Sequence, residues 1–259
     1  MKIDVLTLFP KMFDSPFEES IIKRAIKNKI IELNIHNLRD WAIDSYGSVD
    51  DKPFGGGVGM LIRADVVYEA LNEISNVKFL MSNQDKTQTP SVPIKIGTPP
   101  LDKRETLKTK KSRIILMSAR GEKFDQEKAE ELAKLDNIIL IAGHYEGFDQ
   151  RISDYMVDEE ISIGDYVLTG GELPTMVVID SVVRLLPRVL GKDESSKTES
   201  FAKEEIDGQI VRTIEYPQYT RPQDFRGNKV PDVLLSGDPK KIKTWQTEQV
   251  KKYLKKRNS

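Results

Sequence analysis

The strongest structural signal in the sequence is RIILMSARGEKFDQEKAEELAKLDNIILIAGHYEG, residues 113–147. Its two apolar runs, Arg113–Met117 and Asn137–Ala142, have the length and composition of strands that are buried on both faces. The segment between them, Gln126–Leu135, has one polar and one apolar face, which is typical of a surface helix. The order strand, helix, strand predicts an α/β fold with a parallel sheet.

The flanking sequence continues this alternation. On the N-terminal side, Ile3–Phe9 predicts a strand and Asp65–Ile74 predicts a helix. On the C-terminal side, Glu160–Ile163 predicts a strand, and Glu172–Leu190 predicts a long helix with Pro174 in its first turn, where proline is tolerated. We therefore expect a parallel sheet with helices on both faces.

Composition divides the chain into two domains. Residues 1–191 form the predicted α/β domain, and residues 76–112, which show little periodicity, are interpreted as an insertion in it. Residues 192–202 are small, charged and polar, as in a linker. Residues 203–259 form a small domain in which Gln209–Glu215 predicts a short β segment and Pro239–Lys256 predicts a basic helix.

The composition also excludes several classes of function. The chain has 259 residues and no cysteine, which excludes disulfides, thiolate zinc sites, iron–sulfur clusters and cysteine nucleophiles. The two histidines, His36 and His144, are too few for a histidine-rich metal site, and we predict no metal site from the sequence. Acid–base chemistry therefore falls mainly to carboxylates. No apolar run approaches the ~18 residues of a membrane span, so we expect a cytoplasmic protein without a membrane partner.

Charge is distributed unevenly, although the formal net charge is only -1. From Pro239 to Ser259 there are eight Lys or Arg residues and a single acid, Glu248. A local basic surface can bind a phosphate backbone even when the whole protein is nearly neutral. A solvated helix surface explains the same lysines equally well.

Three glycine-bearing loops are candidate ligand sites. Asp50–Gly59 (DDKPFGGGVG) contains G-x-G-x-G, but no apolar strand precedes it and Pro53 disfavours one, so neither a Rossmann site nor a P-loop is predicted. Ala142–Asp149 follows a buried strand, and Ile163–Pro174 lies between a strand and a helix. Open parallel sheets bind ligands beyond the carboxyl ends of their strands. A tight turn explains any one such loop, but two of them after successive strands favour a small-molecule pocket.

Five motifs in one order make the sequence resemble a known family. They are DDKPFGGGVGM, IILMSARGEKFDQ, AGHYEGFDQRI, SIGDYVLTGGELP and YPQYTRP, and they extend over nearly the whole chain outside residues 76–112. Together they resemble the bacterial tRNA (guanine-N1-)-methyltransferases of the SPOUT class. The resemblance implies a trefoil knot at the C-terminal end of the α/β domain, a small, mainly helical C-terminal domain that binds tRNA, and a homodimer. Periodicity does not predict such a knot, which is a rare exception to chain-threading rules.

The resemblance implies S-adenosyl-L-methionine as the cofactor, bound by three loops. The corresponding residues are Met117, Ser118, Ala119 and Gly121 in the first loop, Gly143, Tyr145, Glu146 and Gly147 in the second, and Ile163, Tyr166, Leu168, Gly170, Gly171 and Pro174 in the third. Ala119 replaces a proline that is usual in the family. The resemblance also implies a Mg²⁺ ion, for which Glu146 and Asp165 are the nearest candidates, although no ligand pattern requires one.

The implied substrate is the guanosine at position 37 of tRNA, immediately 3′ of the anticodon, and no DNA partner is expected. Substrate contacts are expected from Asp50, Gly57 and Gly59 in the first glycine loop, and the methionine end of the cofactor is the alternative occupant of this loop. Arg221, in the motif Tyr-Thr-Arg-Pro, is expected to contact phosphate. The histidine usual two residues before that threonine is Gln218 here.

The catalytic roles also come from the resemblance. N1 of guanine carries a proton and is a poor nucleophile until a carboxylate within hydrogen-bond reach removes it. The negative charge that then develops on O6 can be stabilised by a guanidinium. The corresponding residues are Glu199 as the base, where the family usually has an aspartate, and Arg184 as the stabilising cation, on the predicted long helix. Composition alone explains Glu199 as a solvated linker acid and Arg184 as a helix-surface residue.

Two other functions agree with parts of the sequence. A non-catalytic RNA-binding dimer would hold S-adenosylmethionine as a sensor without turnover. A Rossmann-type methyltransferase or dehydrogenase would need a strand–glycine–helix context that the sequence lacks. Trp245 and Tyr253 recur at helical spacing, and we interpret them as core of the small domain rather than as stacking platforms.

Overall fold

The computed structural model describes four stretches of the chain, residues 1–75, 111–190, 199–206 and 208–257. The chain folds as two compact units, Met1–Val189 (unit 1) and Leu190–Ser259 (unit 2). The predicted insertion, apart from its last two residues, and the predicted linker before Glu199 lie outside the described stretches. Within those stretches, no helix is both long and apolar enough to cross a membrane.

Unit 1 is built on a parallel sheet, as the sequence predicts. The sheet strands are β1 (Lys2–Thr7), β2 (Glu32–Asn37), β5 (Ser112–Lys123), β6 (Asn137–Ile141) and β7 (Glu159–Ser162). Two short strands, β3 (Asp50–Asp51) and β4 (Leu61–Ile62), form a separate antiparallel pair. The five sheet strands have the order β2-β1-β6-β5-β7, and each neighbouring pair is parallel. The chain runs from β1 to β2 on one side and from β6 to β7 on the other, so the connections after the neighbouring strands β1 and β6 run in opposite directions. Such sheets usually bind ligands in the crevice between two strands of this kind.

Helices cover both faces of this sheet. They are α1 (Asp14–Phe17), α2 (Ser20–Lys27), α3 (Ala64–Ile74), α4 (Gln126–Leu132), α5 (Gln150–Tyr155) and α6 (Glu172–Val183), with 3₁₀ turns at Pro10–Phe13 and Leu38–Trp41. Ile138 and Leu140 of β6 pack in the cluster that contains α4 and α6 residues. Ile139 and Ile141 pack in the opposite cluster, with α3 and α5. This alternation follows from the strand period of two and confirms the expected covering of both faces.

The two largest departures from the predicted boundaries are in β5 and α6. β5 continues past Met117 to Lys123, because it pairs with β7 a second time after a register shift between Met117 and Glu122. α6 ends at Val183 rather than at Leu190. Beyond Val183 the N–H groups of Leu185 and Leu186 bond to carbonyls three residues back, and Pro187 has no N–H to continue a helix.

Unit 2 combines helices with short hairpins. Its elements are β8 (Lys203–Ile206), β9 (Gln209–Arg212), β10 (Asp224–Phe225), β11 (Asn228–Lys229), α7 (Asp232–Leu235) and α8 (Pro239–Arg257). β8 pairs with β9 and β10 with β11, both antiparallel. On α8, Trp245 packs against Tyr219 with ring centroids 6.3 Å apart, whereas Tyr253 is exposed, so its predicted place in the core was wrong.

Candidate functional site

The second and third glycine loops meet at the carboxyl edge of the sheet. The N–H of Gly171 donates to the carbonyl of Gly143 over 2.7 Å. A Cβ on Gly171 would lie 2.5 Å from the backbone nitrogen of Gly143, and one on Gly143 would collide with the ring of Phe148. Two segments that are distant in sequence therefore pass each other at a separation that only glycine permits. The structure brings these two predicted cofactor residues together.

The first predicted cofactor loop is part of a strand. Met117, Ser118, Ala119 and Gly121 all lie within β5, at the irregularity where its pairing with β7 shifts. A Cβ on Gly121 would lie 2.5 Å from the backbone of Glu160 and Ile161, so this glycine is required for the close approach to β7. The side chain of Met117 is buried in the apolar core, and its backbone pairs with Ile161 of β7.

The third loop presents apolar side chains to solvent. Tyr166 and Leu168 are both exposed, and the Tyr166 hydroxyl donates to the Ile163 carbonyl over 3.3 Å. Pro174 lies in the first turn of α6, as predicted. In the same loop Asp165 pairs with Lys123 at 2.6 Å, so one predicted magnesium candidate already has a cationic partner.

The second loop also contacts the segment that carries the predicted substrate residues. The N–H of Glu146 donates to the Met60 carbonyl over 3.1 Å, and a Cβ on Gly59 would collide with the Glu146 side chain. The N–H of Ile62 donates to the Gly147 carbonyl over 2.9 Å. Asp50 is half-buried in β3, directly before the glycine-rich turn. The structure therefore places the predicted substrate segment beside the second predicted cofactor loop.

The tip of that substrate segment is open. Gly55, Gly56 and Gly57 have φ values of +87°, +83° and +139°, a region that favours glycine. No atom lies within 4 Å of a Cβ on Gly55 or Gly56. Beside them Phe54 is 99% and Val58 is 92% exposed. The turn thus needs glycine for its backbone conformation rather than for close packing.

An ion pair fixes the far end of the second loop. Asp149 caps α5: its carboxylate accepts the Arg151 N–H over 2.9 Å and two hydrogen bonds from the Arg151 guanidinium, of 2.8 and 2.6 Å. These guanidinium bonds, assisted by the backbone bond, lower the pKa of Asp149 despite its partial burial. The carboxylate therefore stays charged at neutral pH and anchors the start of the helix.

One polar cluster at this edge is not predicted by the sequence. Glu172, the first residue of α6, is 1% exposed and accepts a hydrogen bond from the Thr7 hydroxyl over 2.8 Å. The ring of His144, in the second loop, packs on the ring of Phe9 with centroids 4.7 Å apart. Thr7 at the end of an apolar strand and Glu172 at the start of an apolar helix were the available signals, because buried polar groups need partners.

The predicted catalytic residues belong to different units. Arg184 is in unit 1, immediately after the last residue of α6 rather than within it, and its N–H bonds to the Asp180 carbonyl. Glu199 and Arg221 are in unit 2. The Glu199 carbonyl accepts the Ala202 N–H over 3.0 Å, at the start of the β8–β9 hairpin region. The catalytic and phosphate-binding roles of these three residues stay predictions.

The residues of the two loops suit an adenosine-type cofactor. Gly143 and Gly171 are buried where the two loops cross, and Gly170 beside them is partly exposed. An edge built from backbone in this way can read a base without charged side chains. Tyr145, Tyr166 and Leu168 add exposed apolar surface beside them. Among the described residues, no three His, Cys, Asp or Glu side chains are grouped as a metal site would require. The implied Mg²⁺ therefore stays a prediction without an assigned protein site.

Comparisons with known proteins agree with this arrangement. A family model described as tRNA (Guanine-1)-methyltransferase TrmD matches residues 1–89 and 96–259. A protein of Dehalococcoides mccartyi (strain CBDB1) named tRNA (guanine-N(1)-)-methyltransferase is 46% identical over 258 residues, which are 99% of this chain and 89% of that protein. A protein of Bacillus pumilus (strain SAFR-032) with the same name is 43% identical over 249 residues, 96% of this chain and 86% of its own.

Proposed function

The chain belongs to the tRNA (guanine-1)-methyltransferase family, and on that premise we propose that it methylates N1 of the guanosine at position 37 of tRNA, with S-adenosylmethionine as the methyl donor. The meeting of the Gly143 and Gly171 loops at the carboxyl edge of the sheet is the observation that carries the proposal, because it forms a glycine-lined edge where such sheets bind ligands. A tRNA substrate agrees with the cytoplasmic location expected from the sequence.

The three loops are proposed to bind the cofactor through their backbone and their apolar side chains. Gly143, Gly170 and Gly171 would bring main-chain groups against the adenine edge, and Tyr166 and Leu168 would cover its faces. When bound, S-adenosylmethionine supplies a methyl group that its sulfonium has already activated. The chain's own task is to orient the two reactants, and such positioning reaches effective molarities of ~10⁵ M or more.

Two charged side chains are proposed to activate the guanine. Glu199 removes the proton from N1, which makes the ring nitrogen a nucleophile. Arg184 donates to O6, where the negative charge develops, and stabilises it. Glu199 is one methylene longer than the aspartate usual in the family, but it supplies the same carboxylate. Both assignments rest on correspondence with the family's motifs.

The remaining contacts are proposed to hold the RNA. A base that reacts at N1 must leave its stack to reach the enzyme, and Asp50, Gly57 and Gly59 lie in the segment beside the second cofactor loop. Arg221 and the lysines of α8 would bind phosphates, which position the RNA without reading its sequence. Phosphate contacts of this kind weaken as salt concentration rises.

We also propose that the α/β domain contains the trefoil knot of the SPOUT class and that the protein is a homodimer. The passage of residue 171 against residue 143 is the kind of close crossing that a knot requires. Leu173 and Val177 lie four residues apart on α6 and are 52% and 45% exposed. Apolar residues at this spacing form one stripe on a helix, which is suited to pack against a second copy.

The direct test uses two tRNA transcripts that differ only at position 37. With guanosine there, incubation with S-adenosylmethionine should release S-adenosylhomocysteine and produce 1-methylguanosine, detected by mass spectrometry of the nucleosides. With adenosine there, neither product should form. Equal activity on both transcripts contradicts the proposed target atom. Cofactor binding without any turnover would instead identify a sensor.

Variants test the catalytic assignments. Glu199→Gln should abolish methyl transfer while S-adenosylhomocysteine affinity, measured by calorimetry, stays unchanged. Glu199→Asp is the matched control, since it keeps the carboxylate, and should retain activity. Arg184→Ala should lower the turnover rate by about 10²–10³, the usual effect of removing a group that stabilises developing charge. Equal losses of rate and cofactor affinity would show that Arg184 has a structural role instead.

A further inference from the structure

Four residues at the carboxyl edge of the sheet form a chain of contacts: His144, Phe9, Thr7 and Glu172. The N–H of Phe9 donates to the Thr7 hydroxyl over 3.0 Å, and that hydroxyl donates to Oε1 of Glu172 over 2.8 Å. The Phe9 ring in turn packs on the His144 ring. Thr7 ends β1, His144 follows β6 and Glu172 begins α6. One contact, between Glu172 and His144, would close this chain of contacts.

Glu172 has a free oxygen at the point where that contact would form. Its Oε2 is buried and has no hydrogen-bond partner among the described residues. A Cβ on Gly170 would collide with this oxygen and would lie 3.1 Å from Nε2 of His144. The carboxylate oxygen and the ring nitrogen therefore border one small gap, which exists because residue 170 has no side chain.

A buried carboxylate oxygen without a donor is energetically unfavourable. The position at the start of α6 relieves part of this cost, because the helix dipole stabilises negative charge at its N-terminus. A donor is still required, and the imidazole N–H of His144 is the side chain at the gap that can provide one.

We propose that Glu172 is a positioning residue: Nε2–H of His144 donates to Glu172 Oε2 across the gap at Gly170, and this bond locks the second and third loops in the geometry that binds the cofactor. The proton stays on Nε2, and no covalent step is involved. The hydrogen bond between His144 and Glu172 is inferred from the contacts above, and its effect on cofactor binding rests on the proposed function. Loops that are already fixed lose less conformational entropy when a ligand binds.

Proton NMR tests the bond itself, without tRNA or catalysis. The chain has only two histidines, His36 and His144. Nε2 of His36 lies 3.0 Å from the Asp4 carboxylate, which provides an internal reference in the same spectrum. The proposal predicts a downfield, exchange-protected ring N–H signal of His144 that shifts upfield or disappears in Glu172→Gln, while the His36 signal stays. Asp4→Asn should have the reverse effect. A His144 signal that is missing in the wild type or unchanged in Glu172→Gln overturns the proposal.

Calorimetry with S-adenosylhomocysteine tests the effect on the loops. Glu172→Gln and His144→Phe should each weaken binding by about tenfold, the scale of one hydrogen bond to a charged group. His144→Phe keeps the ring contact with Phe9 but removes the donor. The double variant should match each single variant within about threefold, because both remove the same bond. His144→Gln keeps an N–H donor close to the position of Nε2 and should lose less affinity than His144→Phe.

The outcomes separate this proposal from the proposed function. If the losses of S-adenosylhomocysteine affinity in the two single variants multiply in the double variant, the proposed Glu172–His144 hydrogen bond is overturned, even if the enzyme methylates tRNA normally. A different result is that the wild type shows the His144 signal and the variants show the non-additive losses of affinity, while tRNA is never methylated. That result contradicts the proposed function and supports the Glu172–His144 hydrogen bond. If the single variants bind S-adenosylhomocysteine as the wild type does, this hydrogen bond does not position the cofactor loops.

Discussion

Two groups of glycines look alike in the sequence and differ in the structure. Gly143 and Gly171 stand where two segments cross so closely that a methyl group would overlap the neighbouring backbone or ring. Gly55 and Gly56 stand in an open turn with nothing within 4 Å and are required by their positive φ values. A glycine-rich motif therefore has two distinct physical causes, packing and backbone conformation, and of these two groups only the packed one fixes two segments against each other.

The same difference indicates the kind of ligand that each region suits. The packed loops have main-chain groups held in place by neighbouring segments, which favours tight binding of a small rigid molecule. The open turn exposes Phe54 and Val58 almost completely. Such a surface suits a large partner that covers it on binding, and under the proposed function that partner is tRNA.

The largest expected effect is on the packed side. Gly171→Ala places a Cβ 2.5 Å from the backbone nitrogen of Gly143, and backbone atoms cannot move aside as a flexible side chain would. Overpacking of this kind typically costs up to about 3 kcal/mol and occasionally more. We expect Gly171→Ala to lower the free energy of unfolding, measured by urea denaturation, by about that amount. An unchanged midpoint would show that the two loops do not cross so closely.

A smaller effect is expected on the open side. Gly55→Ala meets no atom but must adopt φ near +87°, which costs an L-residue roughly 1–2 kcal/mol. Gly55→Asn is the matched control, since asparagine tolerates this region better and should lose less. The same urea titration measures both variants. A Gly55→Ala loss as large as that of Gly171→Ala would remove the distinction between the two groups.

The sequence predicted the framework of the packed side but not its contacts. The apolar runs in β5 and β6 identify buried strands because burial accounts for four and five consecutive apolar residues, respectively. The crossing of residues 143 and 171 is a tertiary contact, and no local pattern encodes it. The end of α6 was predicted too far along the chain for a similar reason. Arg184 to Leu186 have the composition of a helix, but hydrogen bonds to carbonyls three residues back form tighter turns there and end the α-helix.

The candidate site was predicted from motifs rather than from chemistry. The loops around Tyr145 and Tyr166 follow the strands that the sequence located, so their place at the sheet edge could be expected. The cluster of Thr7, Glu172 and His144 could not be expected from the sequence. Thr7 is more than a hundred residues from the other two, and the order of the strands in the sheet brings the three together. The position of Glu172 at the start of an apolar helix hints at burial, but its partners are visible only in three dimensions.

The smallest predicted effect concerns the anchor of the second loop. Asp149→Asn keeps a good helix cap but loses the charge paired with Arg151, which should cost about 0.5 kcal/mol at pH 7 for a pair this exposed. Because the pKa of Asp149 is lowered in the folded state, its stabilising contribution is present above the unfolded value of ~3.9 and is lost as the pH falls through the lower folded value.

Urea titrations of wild type and Asp149→Asn at several pH values measure this contribution. The difference between the two proteins should be constant near neutral pH and should shrink below about pH 4. A difference that grows as the pH falls would contradict the assigned ion pair, since protonation would then be favoured in the folded state.

Hydrogen–deuterium exchange with and without saturating S-adenosylhomocysteine tests most directly whether the packed glycines form the cofactor site. The account predicts that amides in residues 142–149 and 163–171 exchange more slowly in the presence of the ligand, while those at the open turn, residues 53–58, keep their rate. Slower exchange confined to residues 53–58, with no change in the two packed loops, would contradict it.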